Sequence, residues 1–335
     1  MTNSKSFGKE TENSGTKLAT LIQHFLHAKQ AEGMSPATVR FYADQLGAFE
    51  KRVRVHPRES LLGDLNPTTV REFLVEEEAR GMSPATVHAR VRALKAFASW
   101  LQAEAYIGSN VLANIRRPRL PFVMVEPLTD QEIDALFAAK NAATFYGCRD
   151  TAILATLLET GLRRTELVEL RFEDAHIDQG YLKVMGKGRK ERVVPIGSTA
   201  RTALWRWVHH FRPEPLNEDH DCLFLSTDGT ALTSNRVEWL MKKWGAKAGV
   251  PRLHAHLCRH TFATNFLIHR CGDVFRLQQI LGHTTLEMVR RYVHYASAED
   301  LIRGAVSSPL DHANIKSLRG YGINRKRKGK KRRNR

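Results

Sequence analysis

Only four of the 335 residues are cysteine: Cys148, Cys222, Cys258 and Cys271. None forms a CxxC pair, which fits reduced thiols in a cytosol rather than a disulfide framework. Long apolar runs are missing too. No stretch reaches the ~18 residues that a membrane span needs, and the N-terminus has no apolar leader segment. The chain therefore reads as soluble and cytoplasmic, with no membrane partner. Acid is scarce: 35 Asp and Glu face 52 Lys and Arg, for a net charge of +17. An excess of that size points to a polyanion, most commonly nucleic acid. Nine of the positive charges fall in residues 325–335, RKRKGKKRRNR, and the rest of the chain still carries +8.

The length is more than one typical domain and suggests two, plus tails. Residues 1–15 are polar and rich in Ser, Thr and Asn, so disorder is expected there. A small helical domain is expected over 16–104. Leu18, Leu21, Ile22, Phe25 and Leu26 form its first helical stripe. Ser35-Pro36, Asn66-Pro67 and Ser83-Pro84 each place a capping side chain before a proline suited to the first helical turn. The heptapeptide GMSPATV occurs at 33–39 and again at 81–87. The sequence between the copies does not repeat, so this reads as one start signal used twice. Arg40, Arg90, Arg92 and Lys95 lie on the paired helices and are candidate phosphate contacts; each could equally be a solvated charge.

Residues 105–125, with Pro118 and Pro121 around a basic RRPR, read as a linker. A second domain is expected over 126–305. It opens with a capping box, Thr129 and Glu132. A helix over 149–159 should stop at Gly161. Residues 167–172, 181–185 and 191–196 read as short strands, the last two joined through Gly186-Lys187-Gly188. Helices are expected near 198–211, 233–248, 256–269 and 273–281. A second capping box, Thr284 and Glu287, should open one more helix, which carries Tyr292 and Tyr295. A basic, disordered tail over 306–335 would complete the chain.

Four stretches hold groups that can do chemistry. TGLRRTEL (160–167) sets Arg163 and Arg164 where a helix begins, a place suited to an anion, although an ordinary surface arginine fits as well. MGKGRKERVVPI (185–196) puts Lys187 at a hairpin tip between glycines, where a solvated lysine is the plainer reading. HLCRHTFAT (256–264) has His256 and His260 four apart, as on zinc-binding helices, with His254 and Cys258 close by. It lacks an acidic base between the histidines, and no second cluster completes a site. His256 and Arg259, three apart on one helical face, offer phosphate chemistry instead. LGHTTLEMVRRY (281–292) supplies His283 and Tyr292, although a tyrosine on an amphipathic helix is commonly core. No acidic cluster of the kind two-metal nucleases use is present. Cations, histidines and a phenol together suit metal-free phosphoryl transfer with tyrosine as nucleophile. Helical spacing alone leaves Tyr292 and Tyr295 equivalent.

These four boxes, in this order, resemble the tyrosine recombinase or phage integrase family, which includes the Xer recombinases. GMSPATV…FYADQLGAF is similar to that family's helical core-binding domain. The resemblance covers residues 16–305. It implies a mainly α fold with a small antiparallel β-sheet: a SAM-like helical N-terminal domain followed by an α+β catalytic domain. It implies a catalytic set of Arg163, Lys187, His256, Arg259, His283 and Tyr292. The nucleophile is then Tyr292, nine residues beyond His283 in the family pattern. The implied reaction is DNA cutting and rejoining through a 3′-phosphotyrosyl link, with no metal, cofactor or ATP. The implied partners are double-stranded DNA carrying specific sites and a synaptic homo-tetramer, with nucleoid association when DNA is bound. Accessory DNA-bending or directionality proteins fit the same picture. The N-terminal extension and basic tail suggest the integrase of a mobile element. Xer-like resolution of chromosome or plasmid dimers, a noncatalytic DNA-binding relative and a type IB topoisomerase are the alternatives.

Overall fold

The computed structural model describes residues 15–54, 58–118, 125–186, 188, 190–217, 221–269, 271–283, 285–287, 289–290 and 292–293. The chain divides into two compact units, residues 1–123 and 124–335. Both are mainly helical, and the second holds a small antiparallel sheet.

Among its described residues the first unit has four α-helices, α1 (Leu18–Ala31), α2 (Pro36–Val53), α3 (Pro67–Ala79) and α4 (Pro84–Ala103), and one short 3-10 turn at Leu62–Asp64. The two GMSPATV copies fold alike. In each, a glycine of positive φ, Gly33 or Gly81, ends one helix. The following methionine amide then donates back to Lys29 or Glu77, as in a Schellman stop. The next residue, Ser35 or Ser83, accepts from the amide of Thr38 or Thr86 at 3.3 and 3.2 Å. The repeated heptapeptide is therefore a whole helix corner, a stop as well as a start. Phe25, Phe49, Phe73 and Phe97 fill the core, in edge-on ring contacts. Leu112 and Ile115 are buried in this same core, so the segment expected as a linker begins inside the first unit.

The second unit contains α5 (Asp130–Ala138), α6 (Phe145–Thr160), α7 (Arg164–Val168), α8 (Ser198–His210), α9 (Ser234–Ala248), α10 (Ala255–Ile268) and α11 (Val274–Leu281). Strands β1 (Ala175–His176), β2 (Tyr181–Met185) and β3 (Glu191–Pro195) lie between α7 and α8. They pair in the order β1-β2-β3, antiparallel throughout. Helix α6 runs through the core and is buried on nearly every side, Arg149, Asp150, Thr156 and Thr160 included. The Thr129–Glu132 capping box forms as expected, with Thr129 Oγ1 accepting at 3.2 Å and Glu132 at 2.8 Å. One expectation fails. Residues 167–172 are not a strand: 167 and 168 finish α7, and Arg171 makes a single bridge to Cys222. The apolar run Leu167, Val168 and Leu170 is short enough to serve either state, and the tertiary setting decides it. Thr284 and Lys187 lie outside the described residues, as do Tyr295, the N-terminal 14 residues and the basic tail.

Candidate active site

The site begins at the end of α6. Gly161 stops that helix in the left-handed region, φ +62°. A Cβ there would lie 2.5 Å from Phe262 and 2.8 Å from Leu281, so only glycine lets α10 and α11 approach this turn. The turn delivers Arg163 to the N-terminus of α7. Its amide donates to Glu166 Oε2 at 2.8 Å, and its Nη1 donates to Glu166 Oε1 at 2.7 Å. Arg163 keeps a third of its side chain exposed.

Arg259 comes from the buried side of α10 and is only 2% exposed. Its Nη1 donates to Gly161 O and its Nη2 to Leu281 O, each at 2.7 Å. Burial, and then the neighbouring charge of Arg163, pull its pKa down to about 10. It remains a cation at neutral pH. Nη2 also contacts His283 Nε2 at 2.8 Å. A guanidinium has no acceptor, so Nε2 must be the acceptor and cannot carry a proton. His283 is thereby held to the Nδ1-protonated neutral tautomer.

Arg163, Arg259 and His256 line one cleft of about 350 Å³, together with Arg164, Glu238 and His254. His256 stands exposed on the same helix as Arg259, one turn before it. Residues 287, 289–290 and 292–293 are helical. Tyr292 on that stretch is 2% exposed. Its ring lies 5.2 Å from that of His260 and stacks nearly parallel to His283, 6.4 Å away. Once ionised, the phenolate would lie close enough to favour the positive charge of Arg259. Of the six expected catalytic residues, five therefore fall in one neighbourhood, and Lys187 lies outside the described residues.

The metal alternative meets committed donors. His254 Nδ1 caps α10 by accepting from Leu257 N at 3.0 Å, and His260 Nε2 bonds to Val125 O. Burial pushes the Cys258 thiol up to about 12, far from the thiolate that a metal needs. Among the described residues, no three His, Cys, Asp or Glu gather as a metal site.

Glu166 escaped the sequence reading. It is 4% exposed and accepts from Arg163 and from Arg192 on β3. Burial raises its pKa, but the Arg192 hydrogen bonds and the Arg163 amide outweigh that and hold it below the ordinary value. The only signal in the sequence is an acid one turn after Arg163.

In the first unit, Arg90 pairs with Glu77 at 3.2 Å and donates to Gln45. Lys95 donates to the carbonyls of Ala113 and Ile115 at 2.7 and 2.9 Å. Both are held by partners within the first unit. Arg92 lies over the Phe41 ring at 4.4 Å, and Arg40 is exposed on α2. A basic cleft that the sequence did not flag flanks α9 in the second unit. Lys140, Arg149, Arg236, Lys243 and Lys247 line it, with Tyr146 and Trp239. Arg236 and Lys243 sit over the Trp239 ring at 4.3 and 5.2 Å.

Lys140 is half-buried beside Trp244, and that burial lowers its pKa from 10.5 to about 8. Between those values the unfolded chain binds a proton that the folded chain does not. Lys140 therefore costs more stability as pH falls through this window. Lys140→Met should melt higher than the parent at pH 7, and the gap should close as pH rises from 8 to 10.5. Paired melting curves across that range check this.

Residues 126–299 match the phage integrase family, and residues 21–105 match the phage integrase N-terminal SAM-like domain. The chain belongs to the phage integrase family. This recombinase is 31% identical over 303 residues to the tyrosine recombinase XerC of Oceanobacillus iheyensis, covering 89% of this chain and 98% of XerC. It is 28% identical to the tyrosine recombinase XerD of Listeria monocytogenes, covering 82% of this chain and 93% of XerD. Two solved structures share its fold. One is XerH bound to a palindromic difH substrate in a post-cleavage complex, at TM-score 0.66 and 23% identity, covering 82% of this chain and 81% of XerH. The other is a lambda integrase dimer bound to a COC' core site, at TM-score 0.68 and 17% identity, covering 92% of this chain and 84% of the integrase. The protein is a site-specific tyrosine recombinase, and among its described residues no helix is long and apolar enough to cross a membrane.

Proposed function

We propose that Tyr292 attacks a scissile phosphate in double-stranded DNA, forming a 3′-phosphotyrosyl link and releasing a 5′-hydroxyl. A 5′-hydroxyl from a partner strand then attacks that link, restoring the phosphodiester and freeing the tyrosine. The phosphoester energy stays in the protein link, so ATP is not required. The observation that carries this reading is the convergence of Arg163, Arg259 and His256 on one cleft, with Tyr292 packed against His283 beside Arg259. Two guanidiniums can grip the nonbridging oxygens and offset the charge that builds up there. A phenol of pKa about 10 needs help to lose its proton, and exposed His256 supplies it. Lys187 protonates the leaving 5′-oxygen. His283 first holds Arg259 through Nε2, and turns to the phosphate when that bond exchanges. Because Tyr292 is buried, its helical stretch must shift for attack, so DNA engagement is part of activation.

Arg40 and the α9 cleft suit DNA phosphates, with Trp239 and Tyr146 offering flat faces. Strand exchange would need four protomers on two sites. The biological role we favour is the integrase of a mobile element, supported by the basic tail. The XerC and XerD relatives favour dimer resolution instead. Circular junctions joining the ends of the DNA around the gene would decide for the first. Resolution of dimers without such junctions would decide for the second. For the chemistry itself, a nicked suicide duplex bearing the recombination site should trap a protein–DNA adduct, with or without EDTA. An adduct that EDTA abolishes and zinc restores would revive the metal reading of His254, Cys258 and His260.

A further inference from the structure

Arg192 has no part in the catalytic set, yet it stands at the junction of three elements that do. It lies on β3, where the hairpin that carries Lys187 returns. Its Nη1 and Nη2 donate to Glu166 Oε1 and Oε2 at 3.0 and 2.8 Å, a two-pronged pair. Its Nε donates to Ile280 O at 2.8 Å, next to the Leu281 carbonyl that Arg259 holds. Gly282, φ +61°, lies flat against it; a Cβ there would lie 3.2 Å from the guanidinium. Gly186, at the start of the hairpin tip, lies just as close to Nη1. The side chain is 11% exposed and its partner Glu166 is 4% exposed.

Glu166 thus receives two guanidiniums and an amide, and the charge balance depends on that. The cluster of Arg163, Arg259 and Arg192 with Glu166 carries a net +2. If Arg192 were absent, the buried carboxylate would have Arg163 as its one direct ion-pair partner. It would then cancel half of the positive charge meant for the phosphate, in a setting where screening is weak.

We propose that Arg192 is a positioning residue for strand cleavage: it neutralises Glu166, so that this carboxylate aims Arg163 without consuming its charge. The inference rests on Arg163 and Arg259 being the phosphate clamp. It explains why an acid sits inside a site built to stabilise an anion. Glu166 supplies direction and Arg192 removes the electrostatic penalty. It also ties the hairpin to the clamp, since one side chain bonds both Glu166 and the end of α11.

The test measures single-turnover cleavage of the nicked suicide duplex. Arg192→Met should slow it by about 10²-fold, the size seen when one preorganised electrostatic partner is lost. Adding Glu166→Gln to that variant should recover most of the loss, because the unbalanced charge is gone. Arg192→Lys should fall between, keeping charge but not the fork. A neutral methylphosphonate at the scissile position should shrink the difference between wild type and Arg192→Met, since less charge then needs offsetting. If Glu166→Gln gives no recovery, or if Arg192→Met cleaves normally, the proposal is overturned. In the first case a matching loss of melting temperature in both Arg192→Lys and Arg192→Met would make Arg192 a strut for the Ile280 carbonyl. Arg163→Ala separates the two layers. If it cleaves at the wild-type rate, the clamp reading itself fails, whatever Arg192 does.

Discussion

Tyr292→Phe is expected to abolish covalent attachment to DNA, lowering cleavage by roughly 10⁴–10⁶-fold, as removal of a nucleophile does elsewhere. The change deletes one oxygen from a ring that is 2% exposed and stacked against His283. Its packing with His260 and His283 is retained, so stability should move by only about 1 kcal/mol. DNA affinity should be nearly unchanged, because a buried phenol adds little to the DNA-free surface. Tyr295→Phe should leave the adduct intact. Gel analysis of the trapped adduct, with a melting curve for each variant, checks both halves. A dead Tyr295→Phe beside an active Tyr292→Phe would move the nucleophile by three residues.

The second large effect separates the two arginines. Arg163→Ala should cost about 3–4 kcal/mol of transition-state stabilisation, the range for a lost charge-stabilising donor, with little change in DNA affinity. Its side chain is one-third exposed and its main partner, Glu166, keeps Arg192. The fold should therefore tolerate the change. Arg259→Ala should lose comparable activity and also unfold more readily. Arg259 satisfies the carbonyls of Gly161 and Leu281 inside the protein. Without Arg259 the Gly161 carbonyl is left unpaired, at about 1–3 kcal/mol, and Leu281 O keeps only a long 3.5 Å bond from Arg163 Nη1. Cleavage rates paired with denaturant unfolding should show one defect for Arg163→Ala and two for Arg259→Ala. Equal unfolding curves would mean that the Arg259 carbonyl bonds contribute nothing measurable.

Local chemistry made much of the fold legible. Ser35, Asn66 and Ser83 cap helices in the positions read for them, because a cap needs only its own next three residues. Gly161 and Gly282 end their helices in the left-handed region for a similarly local reason. The segment 167–172 misled because alternating and helical readings of so short a run are equally good. In the structure, Glu166 caps the start of α7 through the Arg163 amide and is also held by Arg192, 26 residues away. The cations of the first unit were illegible for the same kind of reason. Arg90 and Lys95 look like surface charges until Glu77, Ala113 and Ile115 are brought beside them.

The sequence by itself determined most helix caps and stops, the predominance of helix and the functional groups available for the reaction, since these follow from short-range periodicity and from residue chemistry. Only the tertiary structure decided how those groups are charged and held. It buries Arg259 while leaving His256 exposed one turn away. It directs His283 to Arg259, and it sets Glu166 between two arginines. Burial and ion pairing depend on which distant segments meet, and no local pattern in a chain encodes the solvation of a side chain.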